Sequence, residues 1–206
     1  MKKTILFFSS MMVLSGFSFG QQVYDDFDGM SVQFLGPVNG VIDIKAKNPR
    51  PSDINSSKDC AKYTRPKGIP YGSIKMNTKN KLVDVSPYAT YIGVPPKIKM
   101  KVYTKAPIGT RVEVQFGRKG ETYPTGVHSA YQTNTTVQNA WEELTFNFAE
   151  IPKGSTTAAT EIDQIILMFS PNSSNNDVYY FDDVTGPDLS TVAAAPEKKP
   201  AKKITK

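Results

Sequence analysis

KIKMKVYTKAPIGTRVEVQF (Lys97–Phe116) decides the fold class. Ile98, Met100 and Val102 alternate with Lys97, Lys99 and Lys101, and Val112, Val114 and Phe116 alternate with Arg111, Glu113 and Gln115. A period of two puts one face of each run in a core and the other in water, as in a half-buried strand. Pro107 and Gly109 punctuate the link, so the two runs read as a hairpin of an antiparallel sheet.

The same pattern extends in both directions. SVQFL (31–35) and GVIDIKA (40–46) flank a turn at Gly36-Pro37, with DCAKYT (59–64) and SIKM (73–76) after them. ELTFNF (143–148) places Leu144, Phe146 and Phe148 on one face. IDQIILMF (162–169) is almost unbroken apolar and reads as a central strand covered on both sides. VYYFDDV (178–184) closes the series. No segment sustains a helical apolar period. Short strands divided by Pro, Gly and Asn loops predict an all-β fold, an antiparallel β-sandwich of jelly-roll type.

The ends define compartment and charge. Lys2 and Lys3, the apolar run ILFFSSMMVLSGFSF and Gly20 make residues 1–20 a secretory leader. The chain is therefore expected to be exported, to the periplasm, the outer surface or the medium. Residues 21–190 form one domain, and the lysine-rich 191–206 reads as a disordered tail. The formal charge of +6 arises in the leader and in a tail with five lysines and one glutamate from Glu197 to Lys206. The body is neutral, which argues against nucleic acid as a partner. No transmembrane span is expected, and the molecule is expected to be a monomer. A single cysteine, Cys60, excludes an intramolecular disulfide and reads as a small apolar filler.

Aspartates gather at both ends of the body: Asp25, Asp26 and Asp28 in VYDDFDGM, and Asp182 and Asp183 in the last strand. First and last strands of a sandwich are often neighbours. Their carboxylates would then share a corner, where Ca²⁺ is the natural neutralising ion. Strict alternation sends one of Asp182 and Asp183 inward and the other outward. The simpler reading is that these aspartates cap turns.

Five segments together carry a resemblance: DDFDG (25–29), NSSKDCAKYTR (55–65), AWEELTFNF (140–148), IDQIILMFSPN (162–172) and YYFDDVTGP (179–187). In this order they resemble jelly-roll carbohydrate-binding modules with a galactose-binding-domain-like fold, of the kind attached to secreted bacterial polysaccharide-degrading enzymes. The resemblance implies a non-catalytic module that binds a polysaccharide or oligosaccharide. It also implies a structural Ca²⁺ tying the first strand to the last, with Asp25, Asp28 and Asp183 as side-chain ligands.

Sugars are held by aromatic faces and by amides and charged groups that read hydroxyls. The richest stretch is ETYPTGVHSAYQTNTTVQNAW (121–141). It supplies Tyr123, His128, Tyr131 and Trp141 as candidate contacts. Trp141 is opposite in parity to Leu144 and Phe146, which hints at exposure, whereas the resemblance implies structural packing. Arg111, Gln115 and Arg118 are expected on the same sheet face. A lone histidine is more often a hydrogen-bonded surface residue than a catalyst.

The rival reading is a small jelly-roll hydrolase or lyase. A glycosidase needs two carboxylates roughly 5 to 10 Å apart. Glu142 and Glu143 are adjacent and face opposite ways, which leaves Glu113 with Glu143 as a conceivable pair. The chain has no Gly-x-Ser-x-Gly elbow, no histidine pair for zinc and no phosphate loop. A third reading is a structural or adhesive surface protein.

Overall fold

The computed structural model describes residues 21–191. The leader and nearly all of the tail lie outside the described residues. In chain order the strands are β1 (Gln22–Asp25), β2 (Gln33–Val38), β3 (Val41–Lys47), β4 (Asp59–Thr64), β5 (Ile74–Thr78), β6 (Ile98–Thr104), β7 (Arg111–Gly117), β8 (Val127–Asn134), β9 (Trp141–Glu150), β10 (Gln164–Phe169) and β11 (Val178–Gly186). All pairings are antiparallel. The fold is an all-β sandwich. No helix among the described residues is long and apolar enough to cross a membrane.

The strand path runs β2-β5-β10-β7-β8-β9-β6-β11-β4-β3, with β1 added to β11. One long strand makes the two layers continuous. The first half of β9 pairs with β6, from Trp141↔Tyr103 to Phe146↔Ile98, and its second half pairs with β8. Between the layers lie Ile74, Met76, Val112, Val114, Phe116, Ile165, Leu167 and Phe169 from one sheet. They meet Tyr63, Ile98, Met100, Val102, Phe146, Tyr179, Phe181 and Val184 from the other. Phe169 stacks on Tyr179 with ring centroids 4.7 Å apart and also meets Tyr63 and Phe181, which locks the layers in register.

Two expected connections differ. The runs at 97–104 and 110–116 are strands, but not a hairpin: β6 lies between β9 and β11, and β7 between β10 and β8. Alternation shows that each strand has a core face; it does not show which layer supplies it. The turn between β2 and β3 falls at Asn39-Gly40 rather than Gly36-Pro37. Gly40 has φ +109, and a Cβ there would lie 2.5 Å from the Thr64 carbonyl oxygen, so only glycine fits. The strands it joins pair with β5 and β4, not with each other.

The last strand also departs from strict alternation. Its pairing with β6 shifts between Asp182 and Thr185, and Asp183 has φ +47. This bulge moves Asp183 off the core face and gives the inner place to Val184, beside Tyr179 and Phe181. Both aspartates therefore leave the sandwich core.

Candidate functional site

The outer face of the β5-β10-β7-β8 layer forms a cleft of about 630 Å³. Strand register builds its floor. One row runs Lys75–Ile166–Gln115–Ala130–Glu150 and the next Met168–Glu113–Gln132. Ile166 and Met168 alternate with Ile165, Leu167 and Phe169, which belong to the core. The strand read as covered on both sides is buried along its whole length, and its second face, Ile166 and Met168, lies at the cleft floor.

Beside these two residues the floor is polar and fixed. Gln115 Nε2 donates to one oxygen of Glu113 at 2.7 Å, and Gln132 Nε2 donates to the other at 2.8 Å. Both donors are neutral amides, so Glu113 is held in place on the cleft floor without an ion pair among the described residues. Among the described residues neither Lys75 nor Arg111 forms an ion pair, and both line the cleft.

Two tyrosines stand on the walls, Tyr71 at 60% and Tyr123 at 61% exposure. Tyr123 belongs to the loop after β7. That loop is closed by Arg118 N–H to Gly126 O at 2.8 Å and Gly126 N–H to Thr122 O at 2.7 Å. A Cβ on Gly126 would stand 2.3 Å from Glu121 Cβ, so a side chain there would force the loop open. Tyr71 is placed by Arg65, whose guanidinium is buried. One arm donates to Ile69 O, Pro70 O and Ser173 O, and the other to Ser173 Oγ, Asn175 O and Asn175 Oδ1. Arg65 thereby ties the segment carrying Tyr71 to the loop after β10.

Of the residues expected from the sequence, Tyr123, Arg111 and Gln115 meet in this cleft. Arg118 stands behind it, paired with Glu121 at 3.2 Å and Glu161 at 3.3 Å. Three expectations are corrected. Tyr131 is 2% exposed and packs between Phe116 and Phe148, because it shares β8 parity with Ser129 on the core face. Its hydroxyl accepts from Ser129, and burial pushes its pKa well up. His128 is buried against Ser129; desolvation lowers its pKa, and Asp84 opposes that shift. Trp141 is 4% exposed and lies in the opposite layer, packed on Tyr103 and Cys60. Its parity is outward, as the alternation indicated, but the 48–57 segment folds over it, and Nε1 donates to Asn48 Oδ1 at 2.9 Å.

Several cleft residues were not among the expected contacts: Tyr71, Lys75, Glu113, Gln132, Glu150, Ile166 and Met168, although Gln132 is one of the amides in the 121–141 stretch and Glu113 was weighed as half of an acid pair. Glu113 carried a usable signal, since it shares parity with Arg111 and Gln115. Tyr71 carried none, because its place depends on Arg65 and on loops distant in sequence. The conceivable acid pair of Glu113 and Glu143 does not form. Glu143 sits in the other layer, paired with Lys99 at 2.7 Å.

The aspartate corner is only partly as expected. β1 does pair with β11, with Asp25 opposite Val184, and Phe27 packs edge-on to Phe181 at 5.4 Å. The named carboxylates nevertheless have separate partners. Asp25 accepts from Phe27 N–H, Ser31 Oγ and Gln33 Nε2. Asp28 accepts from Asp59 N–H. Asp183 pairs with Lys101 at 2.6 Å. Asp26 caps a turn by accepting from the N–H groups of Asp28, Gly29 and Met30. Among the described residues no group of three or more His, Cys, Asp or Glu could hold a metal ion. Asp25, Asp28 and Asp183 thus each have a partner of their own and form no three-carboxylate cluster among the described residues. Asp182 is buried beneath the 48–57 segment and accepts from Asn55 Nδ2 at 2.9 Å. Burial pushes its pKa up to about 6, Asp183 adds to the shift, and the Asn55 bond opposes it. Cys60 is buried beside it, its pKa raised to about 12 by desolvation first and by Asp182 second, which makes it an inert thiol.

No protein-family model matches the chain, and no curated protein sequence does. Solved structures do. The family 11 carbohydrate-binding module from Clostridium thermocellum, in complex with a β-1,3-1,4-mixed-linked tetrasaccharide, is 14% identical, with 82% of this chain and 95% of that chain covered and a TM-score of 0.48. An exo-β-agarase is 9% identical over 83% of this chain and 26% of its own, with a TM-score of 0.50. A family 29 carbohydrate-binding module from Piromyces equi is 17% identical over 81% and 88%, with a TM-score of 0.38. At these identities the likeness, of which the exo-β-agarase match is the one at a TM-score of 0.50, is one of fold alone.

Proposed function

We propose that this is an exported, non-catalytic carbohydrate-binding protein that holds a segment of polysaccharide or oligosaccharide in the β5-β10-β7-β8 cleft. The cleft itself carries the reading. Its volume of about 630 Å³ suits several sugar rings and lies within the usual range for ligand sites. Ile166, Met168 and the tyrosine walls suit the apolar faces of pyranoses. Glu113, Gln115 and Gln132 are pre-set to read hydroxyls, so little side-chain entropy is lost on binding. Export is supported by the leader from Lys2 to Gly20.

The test is a panel of cellulose, xylan, mannan, mixed-linked β-glucan and chitin, scored for retention and for release of reducing ends or unsaturated sugars. Retention that is weakened by Tyr123→Ala and Tyr71→Ala supports the cleft. Product release would establish the hydrolase or lyase reading instead. Failure to retain any glycan would overturn the proposal and favour an adhesive role.

A further inference from the structure

A second pocket, of about 350 Å³, opens on the opposite face of the molecule. Three neighbouring strands build it in one row. Lys62 on β4 stands opposite Tyr180 on β11, which stands opposite Tyr103 on β6. The tyrosines meet edge to face at 5.8 Å, and Lys62 Nζ lies 5.9 Å from the Tyr180 ring centre. Lys105 and the 176–178 segment, with Asn176 and Asp177, complete the lining.

The charges set this pocket apart from the surface around it. Further along the same face each outward lysine of β6 and its approach has a polar partner. Lys97 bonds Asn147 at 2.8 Å, Lys99 pairs with Glu143 at 2.7 Å, and Lys101 pairs with Asp183 at 2.6 Å. Among the described residues Lys62 and Lys105 form no ion pair, although Asp43 stands opposite Lys62 in register and Asp177 lines the pocket. The pocket thus brings two lysines outside any ion pair together with an aromatic corner, a side-chain amide and one carboxylate, Asp177.

We propose that this pocket is a second glycan site, selective for an anionic pyranose bearing a carboxylate or sulfate group. The anion lies between Lys62 and Lys105, the ring packs on Tyr180, which buried Tyr103 backs edge to face, and Asn176 and Asp177 take hydroxyls. The choice of a sugar as ligand rests on the function proposed above; the location and charge preference do not. The ligand is held by two lysines on an open face, so binding is salt-sensitive.

The test is calorimetric titration of the full chain with oligogalacturonates, sulfated galactan oligosaccharides and neutral cello-oligosaccharides, at low and high salt. The two acidic arms distinguish carboxylate from sulfate. The expected result is tighter binding of one acidic ligand than of the neutral one. That binding should weaken about tenfold in the K62Q/K105Q double variant and persist in Tyr123→Ala. No preference for the acidic ligands, or unchanged affinity in the double variant, overturns the second site. Loss of acidic binding in Tyr123→Ala also overturns it, by placing the ligand in the first cleft, whose own proposal then stands.

Discussion

Gln132 donates to Glu113 across the β7-β8 pairing at 2.8 Å, and this bond fixes the polar centre of the cleft. A carboxylate accepts from both flanking amides at once, whereas a third amide in its place would turn a donor toward a donor. Glu113→Gln is therefore expected to weaken glycan retention roughly tenfold, the cost of a mispaired polar contact. Affinity electrophoresis in a retained polysaccharide checks this; unaltered mobility shift would remove Glu113 from the site.

Trp141 tests the separation of stability from binding. Its indole anchors the 48–57 segment through Asn48. Trp141→Phe removes the bond and part of the packing on Tyr103, and is expected to cost about 1–3 kcal/mol in urea unfolding. Neutral-glycan affinity in the β5-β10-β7-β8 cleft should stay within about twofold, because the residue is in the opposite layer. A large affinity loss with normal stability would return Trp141 to the ligand.

His128 sets an acid limb of stability. Burial lowers its folded pKa below the ordinary value of 6.5, so the unfolded chain binds the proton more readily. Stability is complete above that range and declines as pH falls through 6.5 toward the folded value. Thermal unfolding across pH 8 to 5 is expected to show less of this decline in His128→Gln than in the wild type. Parallel curves would assign the acid limb to other groups.

Asp183 addresses the calcium expectation directly. Its partner is Lys101, in a partly exposed ion pair. Asp183→Asn is thus expected to cost about 0.2–1 kcal/mol, equally with calcium or with a chelator. A loss that appears only in calcium would show that the ion displaces Lys101 and gathers the corner after all.

Much of the architecture was legible from alternation, because period two reports directly which side of a strand is apolar. Lys97–Thr104, Thr110–Phe116 and Asp59–Thr64 all stand as strands. The pattern failed where a third element intervened. A segment folded over Trp141 buried an outward position, and a bulge at Asp183 reversed the phase of the closing strand. The sequence stretch richest in aromatics became β8, which supplies the core with Tyr131 and the cleft with Gln132. Only Tyr123, Arg111 and Gln115 were recognised in advance as cleft residues. The rest is set by register between strands far apart in sequence, which a single chain does not display.

Because β9 belongs to both layers, the strand path among the described residues has two free margins, β2 and β3, apart from short β1. The Asn39-Gly40 turn joins those margins, so both lie along one seam. That seam is where a further chain could add itself by backbone pairing. β2 carries Pro37, which cannot donate, and β3 carries Asp43, Lys45 and Lys47. A ring-locked nitrogen on one side and a charged border on the other discourage the molecule from growing into a fibre with its own copies.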